Sequence, residues 1–208
     1  NNSVQDDSRL RTCLAYDVFH AAEYPAPLCN FANVSVNGTA MGAFNHVEPI
    51  KEPFLQRAFG SDTGSLYETA LGDFTPDYLA GFAGGNLGRW QPKTDETDPT
   101  GTPLANIARA LDSPDESLLQ ALNEVINVER FITFWALEIA VDHNDGYTGN
   151  RNNFYIYFDP ADGGRGSFIP WGTDEALMDG EISIGQRESY THGEIARRLS
   201  RIPEARTL

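Results

Sequence analysis

Lysine is almost missing: Lys51 and Lys93 are the only two among 15 basic residues. Chemistry that needs an ammonium group, such as a point-charge contact to phosphate, therefore has two candidates. Basic charge of any kind is scarce, since 30 Asp and Glu outweigh those 15 and leave a formal net charge of −15. A field of that sign repels phosphate backbones and anionic lipid, which disfavours nucleic acid and membrane surfaces as partners. Long apolar runs are also lacking. The densest, Phe131 to Val141, is far short of the ~20 residues a bilayer-spanning helix needs and is interrupted by Glu138. Cysteine is limited to Cys13 and Cys29, a pair that permits one disulfide and equally two buried thiols. No initiator Met or charged-then-apolar leader precedes Asn1-Asn2-Ser3, which carries the expectation that any signal peptide lies outside this sequence. What remains is ordinary for a folded chain: 208 residues, 40% hydrophobic and 11% aromatic, the size of one domain.

Periodicity orders the elements. Asp7 or Ser8 stands where a helix cap belongs, and Leu10, Leu14 and Val18 recur at four-residue spacing, predicting an amphipathic helix that ends before Pro25 and Pro27. Asn37-Gly38 between Val34–Val36 and Thr39–Val47 is a hairpin signal, because both central residues of a type I′ turn need positive φ. A short helix over Lys51–Phe59 and a strand over Ser65–Glu68 follow. Gly72 to Pro103 reads as irregular, and its Gly81–Gly88 cluster reads as a plain loop, lacking the phosphate-loop pattern. Helices are expected over Leu104–Leu111, from Ser113-Pro114 onward, and over Val128–Val141, the last apolar nearly all round and hence central. A polar loop, Asp142 to Asn153, leads into the aromatic strand Phe154–Phe158. A turn and a strand over Ser167–Trp171 come next, and the last helix is expected over His192–Arg201.

Polar residues gathered at the ends of elements point to a site. His143-Asn144-Asp145 followed by Asn150 has the spacing of the protein-kinase catalytic loop, H-R-D-x-x-x-x-N, with Asn144 in place of Arg. In that loop the Asp accepts the proton of a substrate hydroxyl, the Asn reaches a divalent metal, and an Asp beyond the next hairpin holds metal against the nucleotide phosphates. Asp174 stands in that third place. A calcium loop starting at Asp142 fails, because its fifth position is Gly146 and its twelfth is Asn153. A bland loop of Asx turns explains any one of these residues but not all of them together. Tyr155 and Tyr157 read as half-buried sheet residues, and Trp135 and Trp171 as core.

The wider order of blocks resembles the CotH kinase family of atypical kinases. Asp145-Gly146-Tyr147, Asn152 to Tyr157 and Phe168 to Asp174 carry the resemblance. Cys13 to Phe19, Val34 to Gly38, Phe54 to Gly60 and Gly64 to Glu68 extend it, so that it covers about residues 1 to 177. It implies an α+β, protein-kinase-like fold with a small antiparallel sheet lobe and a helical lobe, here one partial domain over 1–208 cut at both ends. It implies an Mg²⁺- or Mn²⁺-ATP-dependent phosphotransferase acting on Ser or Thr of a secreted or surface protein, with the acidic charge favouring basic or Ser-rich substrates. Asp145 carries over as the acid/base and Asp174 as a metal ligand. The metal-binding Asn is Asn150 by kinase spacing and Asn153 by the family block. Lys93, in Trp90-Gln91-Pro92-Lys93-Thr94, is the expected phosphate contact, with Glu48 as its partner. Glu68 stands where many members carry Lys after the Leu-Tyr of the strand block, which favours the alternative of a catalytically silent surface module that binds a protein partner or a structural divalent ion.

Overall fold

A computed structural model describes residues 5–75, 87–178 and 190–207 of the chain; most of the Gly81–Gly88 cluster lies outside the described residues. Among the described residues, seven α-helices and two antiparallel sheets make a mixed α+β architecture. The elements are α1 (Arg11–Ala21), β1 (Cys29–Val36), β2 (Thr39–Val47), α2 (Glu52–Phe59), β3 (Ser65–Thr69), β4 (Trp90–Pro92), α3 (Thr102–Leu111), α4 (Asp115–Asn123), α5 (Val128–Ala140), α6 (Tyr147–Asn150), β5 (Phe154–Asp159), β6 (Arg165–Pro170) and α7 (Glu194–Leu199). No helix among the described residues is long and apolar enough to cross a membrane.

β1 and β2 pair only with each other, while the larger sheet has the order β4-β3-β5-β6. The first hairpin turns at Asn37 and Gly38, whose φ values of 51° and 82° are what the Asn-Gly pair supplies. β4 corrects the reading of 72–103 as wholly irregular: Trp90 packs on Phe74 and Phe154, and the Lys93 N–H donates to the Leu66 carbonyl, extending the ladder. The four-stranded sheet buries both faces, as its near-continuous apolar strands require. Tyr67, Phe154, Ile156, Phe158 and Phe168 join the core beneath α5, whereas Leu66, Tyr155, Tyr157 and Ile169 join Phe54 and Leu55 of α2. Tyr155 and Tyr157 are thus fully buried, beyond the half-burial expected of them.

α5 is central as expected, its Phe131 and Phe134 both stacking near Phe168. Asn127 caps it, its side chain accepting from the Arg130 N–H at 3.0 Å. α1 departs from its sequence pattern. It buries Thr12, Cys13, Ala15, Tyr16 and Phe19, and leaves Leu10, Leu14 and Val18 facing outward. Its cap is also neither Asp7 nor Ser8: the Asp6 carboxylate accepts from the N–H groups of Ser8 and Arg11. The inward face is selected by the Cys13–Cys29 disulfide, which ties α1 to β1, and by the aromatic contacts of Phe19 with Tyr24 and Phe134.

Candidate functional site

The site is assembled where β5 begins and β6 ends. Antiparallel pairing places Phe154 opposite Pro170, and the Trp171 N–H donates to the Asn153 carbonyl at 3.1 Å. The polar loop before β5 is thereby sewn to the turn after β6. That single sheet-end juxtaposition brings residues near 145 and residues near 174 together, although 29 positions separate them in the chain.

Asp145 lies at the centre of the loop. Its Oδ1 accepts from the Asn150 carboxamide at 2.7 Å, and its Oδ2 accepts from Asn153 at 2.7 Å and Asn152 at 3.1 Å. Three amide donors on one carboxylate fix its orientation. Both expected asparagines therefore reach Asp145, and Asn152 joins them unexpectedly. Asn153 also spans toward the opposite turn, its Nδ2 standing 3.4 Å from the Gly172 carbonyl. It adopts positive φ, 46°, as Asn tolerates better than most residues. Gly172 is required on two counts: its φ is 57°, and a Cβ there would stand 2.6 Å from the Asn153 Cγ.

Asp174 sits in the 3₁₀ turn Thr173–Glu175, which α1 holds in place. The Thr173 hydroxyl donates to the Thr12 carbonyl at 3.3 Å, and buried Tyr16 interacts with Thr173 and the Gly172 backbone. His143 is buried nearby, its Nε2 3.0 Å from the Trp171 carbonyl. Burial holds His143 below its ordinary pKa, while the charges of Asp145 and Asp174 both pull the other way.

Lys93 is half-buried on the α2 side of the sheet. It forms an ion pair with Glu68, and its Nζ lies 6.0 Å from the Tyr155 ring centroid. The expected Lys93–Glu48 pairing does not occur. Glu48 instead pairs with Arg57 and accepts from the Leu28 N–H at 2.9 Å, because the end of β2 faces α2 and not β4. Burial raises the Glu48 carboxyl, but the Arg57 and Leu28 hydrogen bonds outweigh it and leave its pKa below the ordinary value. Glu68 stands opposite both Tyr155 and Gln91 in the ladder, so the Lys–Glu pair bridges neighbouring segments with the acid on β3 and the base just after β4. Tyr155 in turn meets Trp171 edge-on at 5.7 Å, which joins this corner to the Gly172–Asp174 turn.

Two buried acids beneath the loop escaped the sequence reading. Glu138 accepts from the N–H groups of Tyr147 and Thr148 at 3.0 and 2.9 Å and from the Thr148 hydroxyl at 2.5 Å. Burial pushes its pKa up to about 7 against those hydrogen bonds. Asp73 accepts from the Tyr147 hydroxyl at 3.1 Å and from the Glu194 N–H at 3.0 Å, linking α6 to α7. Burial raises its pKa too, opposed by those donors and the Phe74 N–H. The signal that marks Glu138 is in the sequence: it is an acid inside the apolar run Phe131–Val141, which needs a partner if that run is central.

For a divalent cation, the donor set is hard oxygen: the Asp174 carboxylate and the carboxamide oxygen of Asn153. The described residues contain no group of three or more His, Cys, Asp and Glu suited to hold a metal. Phosphoryl-transfer sites hold Mg²⁺ or Mn²⁺ with only one or two protein oxygens beside phosphate and water, and Asp174 and Asn153 are of that donor chemistry.

A mixed α+β architecture with two small antiparallel sheets is consistent with a kinase-like domain. The chain belongs to the CotH kinase family: the family's sequence model, described as CotH kinase protein, matches residues 1–208. Among curated proteins, it is 26% identical over 178 residues to Invasin CotH2 of Rhizopus delemar and 24% identical over 180 residues to Invasin CotH3 of the same fungus. Each alignment covers 79% of this chain and 29% of the relative, so the chain matches under a third of those longer proteins.

Proposed function

We propose that residues 1–208 form a single kinase-like domain that transfers the γ-phosphoryl group of ATP to a Ser or Thr hydroxyl of a protein substrate. Asp145 accepts the hydroxyl proton as the nucleophile attacks. Asn153 and Asp174 hold Mg²⁺ or Mn²⁺, with Asn150 serving to orient Asp145, since Asn153 and not Asn150 also reaches the Gly172 turn beside Asp174. When bound, the metal supplies charge neutralisation to the phosphates. Lys93 is the cation facing the nucleotide, held by Glu68 in place of the expected Glu48. In this reading the family's Lys has moved across one strand pairing, so that Glu68 is compensated by Lys93.

The observation that carries the proposal is the convergence of Asp145, Asn153 and the Asp174 turn on one sheet end. The location proposed is extracellular or cell-surface. A disulfide in so sparse a cysteine set fits an oxidising compartment, and invasin is the name given to both relatives. The test is incubation with γ-labelled ATP, Mn²⁺ and a basic, Ser-rich protein, beside Asp145→Ala. Label transferred by the wild type and lost in the variant supports the proposal; equal labelling removes it. The silent-module reading retains one specific support, Glu68 at the family's Lys position, and predicts ATP-induced stabilisation without transfer.

A further inference from the structure

Glu138 is a group beneath the loop that the phosphotransfer reading leaves without a task. It is 0% exposed, and no Lys, Arg or His among the described residues pairs with it. A buried carboxylate without a counter-charge is costly unless its lone pairs are taken up. Here three donors take them, all from Tyr147 and Thr148 at the start of α6. The chain even excludes a side chain to allow this approach, since a Cβ on Gly146 would stand 2.1 Å from Glu138 Oε1 and 2.7 Å from the His143 ring. The same glutamate anchors the near side of the loop through its backbone, its carbonyl accepting from the His143 N–H at 2.8 Å.

Asp145 therefore hangs between two fixed points. His143 is locked to Glu138 by backbone and to Trp171 by its ring, while Gly146-Tyr147-Thr148 is locked to the Glu138 carboxylate. From Thr148 the short helix runs directly to Asn150 and then to Asn152 and Asn153, the three carboxamides that orient Asp145. We propose that Glu138 is a positioning residue that sets the geometry of the Asp145 loop from inside the core, acting through the Tyr147 and Thr148 amides and touching no substrate. This inference rests on the reading of Asp145 as the proton acceptor only for its consequence on rate; its geometric part stands alone.

The test uses the 208-residue chain, ¹⁵N-labelled, as wild type, Glu138→Gln and Thr148→Val. Glutamine keeps the volume but turns one acceptor oxygen into an NH₂ facing N–H donors. Valine deletes only the hydroxyl, which keeps the test available if the first variant does not fold. The expected result is amide exchange at Tyr147 and Thr148 about tenfold faster in Glu138→Gln and less so in Thr148→Val, together with displaced side-chain NH₂ resonances of Asn150, Asn152 and Asn153. Phosphotransfer should lose roughly tenfold or more in kcat with KM for Mn²⁺-ATP within about twofold, as loss of orientation predicts. Unchanged exchange and unchanged Asn resonances in the variants overturn the inference. So does altered exchange with wild-type kcat. Absence of transfer by the wild type refutes the phosphotransfer reading instead, and the exchange and resonance data then decide the geometric claim by themselves.

Discussion

The chain builds two antiparallel hairpins of similar length and gives them opposite surroundings. In β5–β6 every residue but Arg165 is buried; in β1–β2 only Asn45 is. The first is held by packing on both faces, the second by its own ladder and the Cys13–Cys29 link to α1. Of the two, only the packed hairpin borders the candidate site, and it does so with its two ends, where the Trp171 N–H donates to the Asn153 carbonyl. The lesson is that polar chemistry here is positioned from the interior, by groups such as Glu138 and Tyr16.

That contrast breaks most directly by emptying the packed side. Phe168, 1% exposed and ringed by Phe131, Phe134, Tyr147 and Phe154, should cost about 3–5 kcal/mol as Phe168→Ala in urea denaturation, whereas Phe31→Ala on the outer hairpin should cost ~0.5 kcal/mol or less. Equal losses would erase the distinction. Next in size, Cys13→Ser with Cys29→Ser should lose about 2–4 kcal/mol; if the link is what holds α1, Mn²⁺ affinity should fall too, because Thr12 and Tyr16 grip the Asp174 turn. Gly172→Ala introduces strain and a clash with Asn153, and should cost about 1–3 kcal/mol while weakening Mn²⁺ binding measured by electron paramagnetic resonance.

The buried acids give the packed region a pH signature. Folded Glu138 keeps its proton until about pH 7, whereas in the unfolded chain it ionises near the ordinary 4.5. The unfolded state thus binds fewer protons between those values, and this contribution to stability is lost as pH rises from 4.5 through 7. His143 works in the other direction: its lowered pKa means that stability falls as pH drops below the ordinary 6.5. Melting temperatures of wild type and Glu138→Gln from pH 4 to 8 separate the two, since the variant should lose the decline on the alkaline side and keep the acidic one. The smallest effect sharpens the comparison from the exposed side: Leu14→Ser on the outward face of α1 should change stability by ~0.5 kcal/mol or less.

Most of the architecture was legible in local patterns. The Asn37-Gly38 turn, the largely apolar α5 and the aromatic β5 each carry their signal within a few residues. The misreadings share one cause, which is long-range competition. The Leu10–Leu14–Val18 stripe is the periodic face of α1, yet the disulfide and Tyr16 turn the opposite face inward. β4 is too short to show a pattern and exists because β3 offers it an edge. In the candidate site, the spacing of Asp145, Asn150 and Asp174 and the family block at Asn153 were visible in the sequence, while the partner of Lys93 was not. Glu48 and Glu68 are equally acidic in sequence, and only the strand register decides that Glu68 lies beside it.

The most direct measurement of the central claim is Mn²⁺ binding in the presence of ATP, followed by electron paramagnetic resonance, for wild type, Asp174→Asn and Asp145→Asn. The account predicts that Asp174→Asn loses most of the bound Mn²⁺, while Asp145→Asn still binds Mn²⁺-ATP but transfers no phosphate. Full Mn²⁺ binding by Asp174→Asn, or transfer at the wild-type rate by Asp145→Asn, would contradict it.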